Sequence, residues 1–295
     1  MPDPNPWRPR LIEVSEHELE HPSVLTVLKL IYNTAARLFH DPAGMVIGSA
    51  FLVLMVWGYH GNLELLRRVW PGWHGIGSDP VTRQHLVPGI PWDHEWLSYL
   101  VGFVLVVGIP VVLIKFVYRE RLRDYGLGLP RRDRWGLTLV SSALLLAVSL
   151  PVFYLGARDP GMRAEYPLYR GQFASLAQFL TYEAGYLLFF VTIEFIFRGY
   201  LLFGLFRLRD RGALPGVTGV PGPFVFGYYA VFIAMLSYTA WHLGKPVPEL
   251  WGTLVWGIAA GTIALATETI LPIILVHWLL NVFIDYVICH GATCP

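Results

Sequence analysis

Three polar pairs stand inside apolar stretches of the C-terminal half, the members of each pair four residues apart. They are Glu194 and Arg198 in FFVTIEFIFRGYLLFGLF, Tyr238 and His242 in AVFIAMLSYTAWHLG, and His277 and Asn281 in LPIILVHWLLNVFIDYV. Residues at i and i+4 share a helix face, so each stretch turns one polar patch in one direction. In a bilayer such groups face the bundle interior or a water-filled cavity. A carboxylate, two imidazoles and an amide suit hydrolysis of a peptide bond, which needs a base for water, an acid for the leaving amine and donors for the oxyanion. Glu194 could act as the base, His277 or His242 could carry the proton, and Asn281 could donate to the oxyanion. The two histidines and the carboxylate could also ligate zinc. Taken singly, each patch has a plainer role. Glu194–Arg198 could be an ion pair between helices, His277–Asn281 could hydrogen-bond to neighbouring helices, and His242 could mark a membrane boundary.

The elements that carry these patches are membrane spans. Hydrophobic residues make up 55% of the 295-residue chain and charged residues only 15%, a balance far to the apolar side of soluble domains. A helix needs about 20 mostly apolar residues to cross the hydrocarbon core. Seven segments approach that length: Gly44–Tyr59, Leu97–Tyr118, Gly136–Gly156, Ser175–Phe206, Phe224–Gly244, Leu250–Ala266 and Ile270–Ile288. The expected fold is therefore all-α, a polytopic transmembrane helical bundle of about seven spans. Residues 22–42 read either as an amphipathic helix on the membrane surface, with Lys29 and Arg37 snorkelling, or as an extension of the first span. The polar, Pro-rich start shows no cleavable signal peptide.

The loop RERLRDYGLGLPRRDR after the second span holds six arginines, which places it in the cytoplasm together with the N-terminus. The expected location is the plasma (inner) membrane, with the C-terminus outside. Cys289 and Cys294 would then close a small disulfide loop or stay as free thiols. The net charge of +1 gives no field that would draw nucleic acid. Trp73, Trp92, Trp96 and Tyr59 read as interfacial anchors. His60, His74, His85 and His94 read as solvated, Glu183 as a bundle contact, Asp285 as an end-of-helix group and Glu268 as a loop or cap residue.

The order and spacing of the three patches resemble the CPBP intramembrane proteases, the group that includes type II CAAX prenyl endopeptidases and bacteriocin-processing or immunity proteins. The family pattern is Glu-Glu-x-x-x-Arg, then Phe-x-x-x-His, then His-x-x-x-Asn. Here the corresponding residues are Ile193, Glu194 and Arg198, then Tyr238 and His242, then His277 and Asn281. The resemblance covers residues 97–288. It implies a catalytic-type core there, preceded by an N-terminal extension (1–43) and a first span with its outer loop (44–96), and followed by a tail (289–295). It implies catalytic roles for Glu194, His242, His277 and Asn281, with Arg198 and Tyr238 in support. The implied chemistry is metal-free and of glutamate type, with no cofactor and with zinc disfavoured, since no His-Glu-x-x-His pairing is present. The implied partners are the lipid bilayer and a lipid-attached or membrane-inserted protein or peptide.

One departure carries weight. The first Glu of the family pair, the one implied to activate water, is Ile193 here. Glu194 lies about 100° further round an ideal helix, so a π-bulge or a break is needed to turn it into the cavity. Glu183 is almost on the same face but about 16 Å lower. The alternative to a protease is therefore a catalytically impaired relative that binds or escorts its substrate. A small-solute transporter is a weaker alternative, because no paired broken-helix repeat is visible. On this topology Glu194 lies about 20 Å and His277 about 11 Å from the cytoplasmic side, so the fourth segment is expected to break or bend near Gly199.

Overall fold

The computed structural model describes residues 12–40, 42–57, 93–169, 173, 175–208 and 229–291, and every regular element in them is helical. A short helix α1 (Glu16–Glu20) opens with a capping box between Ser15 and Glu18. It is tied to α2 (Val24–His40) by the Lys29–Glu18 ion pair at 2.6 Å. Then follow α3 (Pro42–Val56), α4 (Glu95–Val117), α5 (Trp135–Gly156), α6 (Pro160–Glu165), α7 (Leu176–Phe206), α8 (Tyr229–Trp241), α9 (Val247–Thr267) and α10 (Leu271–Gly291). Among the described residues five helices are long and apolar enough to cross a membrane: α4, α5, α7, α9 and α10, with α5 counted there from Arg132 and α10 to Cys289. Shorter apolar helices are supplied by α2, over Val24–Ala36, and by α3 and α8. The segment expected to begin at Phe224 is described only from Tyr229, and Trp73, Trp92, Tyr59, His60, His74, His85 and the His94 side chain lie outside the described residues.

The core sits around α7. Its apolar window is 78% buried, against 6% for α5, so α7 is the axis of the bundle and α5 its outer wall. That wall exposes Leu139, Val140, Leu144, Val148, Val152 and Leu155. A row of branched aliphatic side chains on an outer face is stable only against lipid. Helices α3, α4, α8, α9 and α10 pack on α7, and α5 packs on α9 and α10.

The helix ends are fastened by local chemistry. Ser175 caps α7 by accepting from the Gln178 amide, and Asp159 caps α6 by accepting from the Met162 amide. At one end of the bundle the loop between α4 and α5 locks onto the junction of α9 and α10. Gly126 takes φ +77° there, a conformation that disfavours any side chain. Its carbonyl accepts from the Ile270 amide at 3.0 Å, and an added Cβ would meet Phe203 and Ile270 side-chain atoms at 2.8 and 2.9 Å. Arg134 pairs with Glu268 at 3.1 Å, and Arg207 pairs with Glu120 at 3.0 Å. Glu268 itself caps α9 with φ 58°. The opposite end holds α6, the turn between α8 and α9, and the C-terminal part of α10, where Met162 packs with Ala157, Ile284 and Ile288.

The α8–α9 contact depends on small residues. A Cβ on Gly257 would lie 2.6 Å from the Met235 side chain and 3.1 Å from its Cα. Only a glycine lets the two backbones come this close, and that approach sets where Tyr238 and the turn bearing His242 stand.

Candidate active site

The decisive local feature is a change of helical winding in α7. Leu176–Glu194 is α-helical, Phe195–Phe203 is π-helical and Gly204–Phe206 returns to α. The sequence suggested a break or bend near Gly199, or a π-bulge to turn Glu194 inward, and the helix runs on through Gly199 with π winding. It widens, starting at the residue after Glu194. Bonds from i to i+5 put more residues in each turn, so the chain climbs less than the ideal 1.5 Å per residue between Glu194 and its nearer end. Glu194 and His277, about 9 Å apart in depth on an ideal straight helix, meet at 2.6 Å.

Glu194 is fully buried and gathers donors from three helices. Its Oε1 accepts from Nδ1 of His277 on α10 at 2.6 Å and from Nε1 of Trp256 on α9 at 3.3 Å. Its Oε2 faces Nε of Arg198, one turn on in α7, at 3.4 Å. The guanidinium of Arg198 lies 4.0 Å over the Tyr238 ring, a cation–π contact strengthened by desolvation. Nη1 and Nη2 of Arg198 are buried with no hydrogen-bonding partner. Ile193 packs into the apolar core, so of the two adjacent positions it is Glu194 that faces the polar interior.

A carboxylate against Nδ1 assigns the proton of His277 to that nitrogen and leaves Nε2 with the lone pair. Phe190 and Trp256 flank the imidazole, each with ring centroids 4.7 Å away. His242 lies in the turn after α8, its ring 4.4 Å from that of Tyr238. Its Nδ1 donates to the Tyr238 carbonyl at 2.8 Å, and its Nε2 stands 3.6 Å from Oε1 of Glu249. The Tyr238 ring is 6.4 Å from that of His277, so Tyr238 stands between the two histidines.

Asn281 is placed differently. It is one turn from His277 on α10, and its amide donates to Oδ2 of Asp285 at 3.1 Å. Asp285 is not an end-of-helix group, because α10 continues to Gly291 and buries it completely. Glu183 of α7, also fully buried, lies beside Asp285 and Asn281. The polar interior therefore has two parts, one around Glu194 and His277 and one around Glu183 and Asp285, with Asn281 in the second. A catalytic zinc takes three protein ligands, and no group of three or more His, Cys, Asp or Glu suited to a metal ion occurs among the described residues.

Three participants escape a reading of the sequence. Trp256 looks like a lipid-facing aromatic within GTLVWGIAAG, Glu249 like a first-turn helix acid, and Tyr166 like a loop residue. The only signal was positional: Glu249 follows His242 by seven residues across a Gly-Lys-Pro turn, which folds it back beside the histidine.

Residues 173–283, which contain all three patches, match the family model of the Rce1-like type II CAAX prenyl endopeptidases. No curated protein and no solved structure matches the chain. An all-helical membrane bundle, patches in the family's order and this match agree: the chain carries a membrane-protease domain of the CPBP family.

Proposed function

We propose that the protein is an intramembrane endopeptidase that cleaves a lipid-attached or membrane-inserted protein or peptide, a prenylated CAAX-type peptide being the substrate class that the family match favours. The observation that carries this is the 2.6 Å contact between His277 Nδ1 and Glu194 Oε1, reinforced by Trp256. Glu194 already accepts from two donors and faces a third, so it is better suited to orient and charge-balance His277 than to take a proton from water. His277 Nε2 is the base. It takes a proton from water while the water oxygen attacks the carbonyl carbon, and the C–N bond then breaks as the amine takes up a proton. The unpartnered Arg198 nitrogens are the donors available to the developing oxyanion, since Asn281 is turned to Asp285 in the other polar cluster. No cofactor is required.

The orientation proposed is N-terminus in the cytoplasm of the plasma membrane. Arginines 119, 121, 123, 131, 132 and 134 fall at the same end of the bundle as Arg207, which suits the cytoplasmic side. Cys289, at the opposite end, is disulfide-bonded, as expected in an oxidising compartment, while Cys294 lies outside the described residues.

The test is cleavage of a farnesylated CAAX-type peptide by the full chain in proteoliposomes, beside His277→Ala. Wild type should cleave and His277→Ala should lose about 100- to 10,000-fold, the usual worth of a general base. A second reading rests on Ile193: a carboxylate-depleted relative that binds and escorts its substrate. Saturable binding of the same peptide without cleavage would establish that reading instead.

A further inference from the structure

Glu249 is a half-buried acid that no motif singles out and that the reaction above leaves unused. It stands in the first turn of α9, and its side chain is 12% exposed, beside 13% for His242. Its Oε1 accepts from the Tyr166 hydroxyl at 2.7 Å and lies 3.6 Å from Nε2 of His242. Its Oε2 is buried without a hydrogen-bonding partner. Because Nδ1 of His242 is committed to the Tyr238 carbonyl, Nε2 is the nitrogen free to act. A separation of 3.6 Å is just beyond a hydrogen bond, and a small rotation of either side chain closes it.

The support behind Glu249 is built. Burial, and next the negative charge of Glu249, push the Tyr166 phenol well above its ordinary range, so it stays a proton donor to the carboxylate. Tyr166 follows α6, which is held down by the packing of Met162 and by the Glu165–Lys245 ion pair to the α8–α9 turn. The groups around His242 are Tyr238 on α8, Lys245 on the turn, Arg198 on α7, His277 on α10 and Glu249 on α9. Burial above all, with Lys245 and Arg198 adding to it, pushes the His242 imidazole down to about 4, so it rests neutral and gaining a proton needs an anion close by; Glu249 is within 4 Å.

We propose that Glu249 is a positioning residue that makes a second carboxylate–imidazole pair with His242, supplying the carboxyl that Ile193 removes from the α7 pair. The proposal rests on the protease reading for its use. His242, neutral at rest, takes up at Nε2 the proton that His277 accepted from water, relayed through solvent, and gives it to the leaving amine as the C–N bond breaks. One water is consumed and both histidines return to their starting states.

The test uses the full chain, labelled with 15N-histidine in lipid nanodiscs, together with cleavage of the farnesylated peptide. In Glu249→Gln, nearly the same shape without the charge, the titration of the His242 Nε2 signal should move to lower pH, because the anion that favours the protonated ring is gone. In the same variant kcat should fall about 30- to 100-fold with KM within about twofold. Glu249→Asp should restore part of both readouts, and Tyr166→Phe should give a smaller loss, about three- to tenfold. An unmoved His242 titration in a folded Glu249→Gln protein overturns the pair, whatever the cleavage. A moved titration with unchanged kcat overturns the positioning role. A moved titration in a protein whose wild type cleaves nothing upholds the pair and removes the protease reading alone.

Discussion

At the scale of the residue, the site turns on which of two neighbours faces inward. Glu194 meets Arg198, Trp256 and His277, while Ile193 meets apolar core. Glu194→Gln removes the charge and keeps the shape, so kcat for the farnesylated peptide should fall at least about 100-fold, with the thermal transition in detergent little changed. Trp256→Phe keeps the packing but removes one donor to Oε1, and the expected loss is about three- to tenfold, the worth of one hydrogen bond. Ile193→Glu places a second carboxylate among apolar side chains beside Glu194. Burying an unpaired carboxyl costs several kcal/mol, so the variant should unfold at a lower temperature and cleave more slowly than wild type. Faster cleavage by Ile193→Glu would mean that the family's first glutamate is missed after all.

At the scale of the element, two features position the chemistry: the π-helical stretch Phe195–Phe203, and the close approach of α8 to α9 at Gly257. The π stretch begins directly after Glu194, which meets His277, and the close approach presents Tyr238 and His242 to the same interior. Gly257→Ala forces Met235 and its backbone to shift, because the new Cβ would lie 2.6 and 3.1 Å from them. Overpacking of this kind costs about 1–3 kcal/mol. The expected result is a lower thermal transition together with reduced kcat, since His242 hangs from the end of the displaced helix. A variant as active as wild type would show that His242 is not positioned by this contact.

At the scale of the whole molecule, α7 is the buried axis and α5 the lipid-facing wall. The proposed orientation puts the C-terminus outside, and both cysteines stand near that end of the sequence. In intact cells a membrane-impermeant maleimide should leave the protein unlabelled, and prior treatment with an impermeant reductant should make it label. Labelling only after the cells are opened would invert the topology. Leu144, exposed on α5, gives a second test. Leu144→Lys should lower the amount of protein inserted in the membrane, since a lysine at the centre of a span costs about 2.5–3.5 kcal/mol.

Much of this was legible in the sequence, for definite reasons. An apolar run long enough to cross a bilayer has one workable backbone state, so helices and an all-α bundle follow from composition alone. Polar residues four apart in such runs must face inward, which is why Glu194, Arg198, Tyr238, His242 and His277 read as one interior in the sequence itself. Depth and partnership were not legible. Whether Glu194 or Ile193 faces His277 depends on the winding of α7, and its π stretch packs against α3, α4, α8 and α9, contacts that no local propensity encodes. Asn281 shares a helix face with His277, yet it turns to Asp285 because Glu183 and Asp285 bury a second polar cluster one turn away. Trp256, Glu249 and Tyr166 come from separate elements and carry no motif. Residue spacing along one helix fixes direction, but contacts between helices depend on tilt, winding and close approach, and these exist only once the bundle has packed.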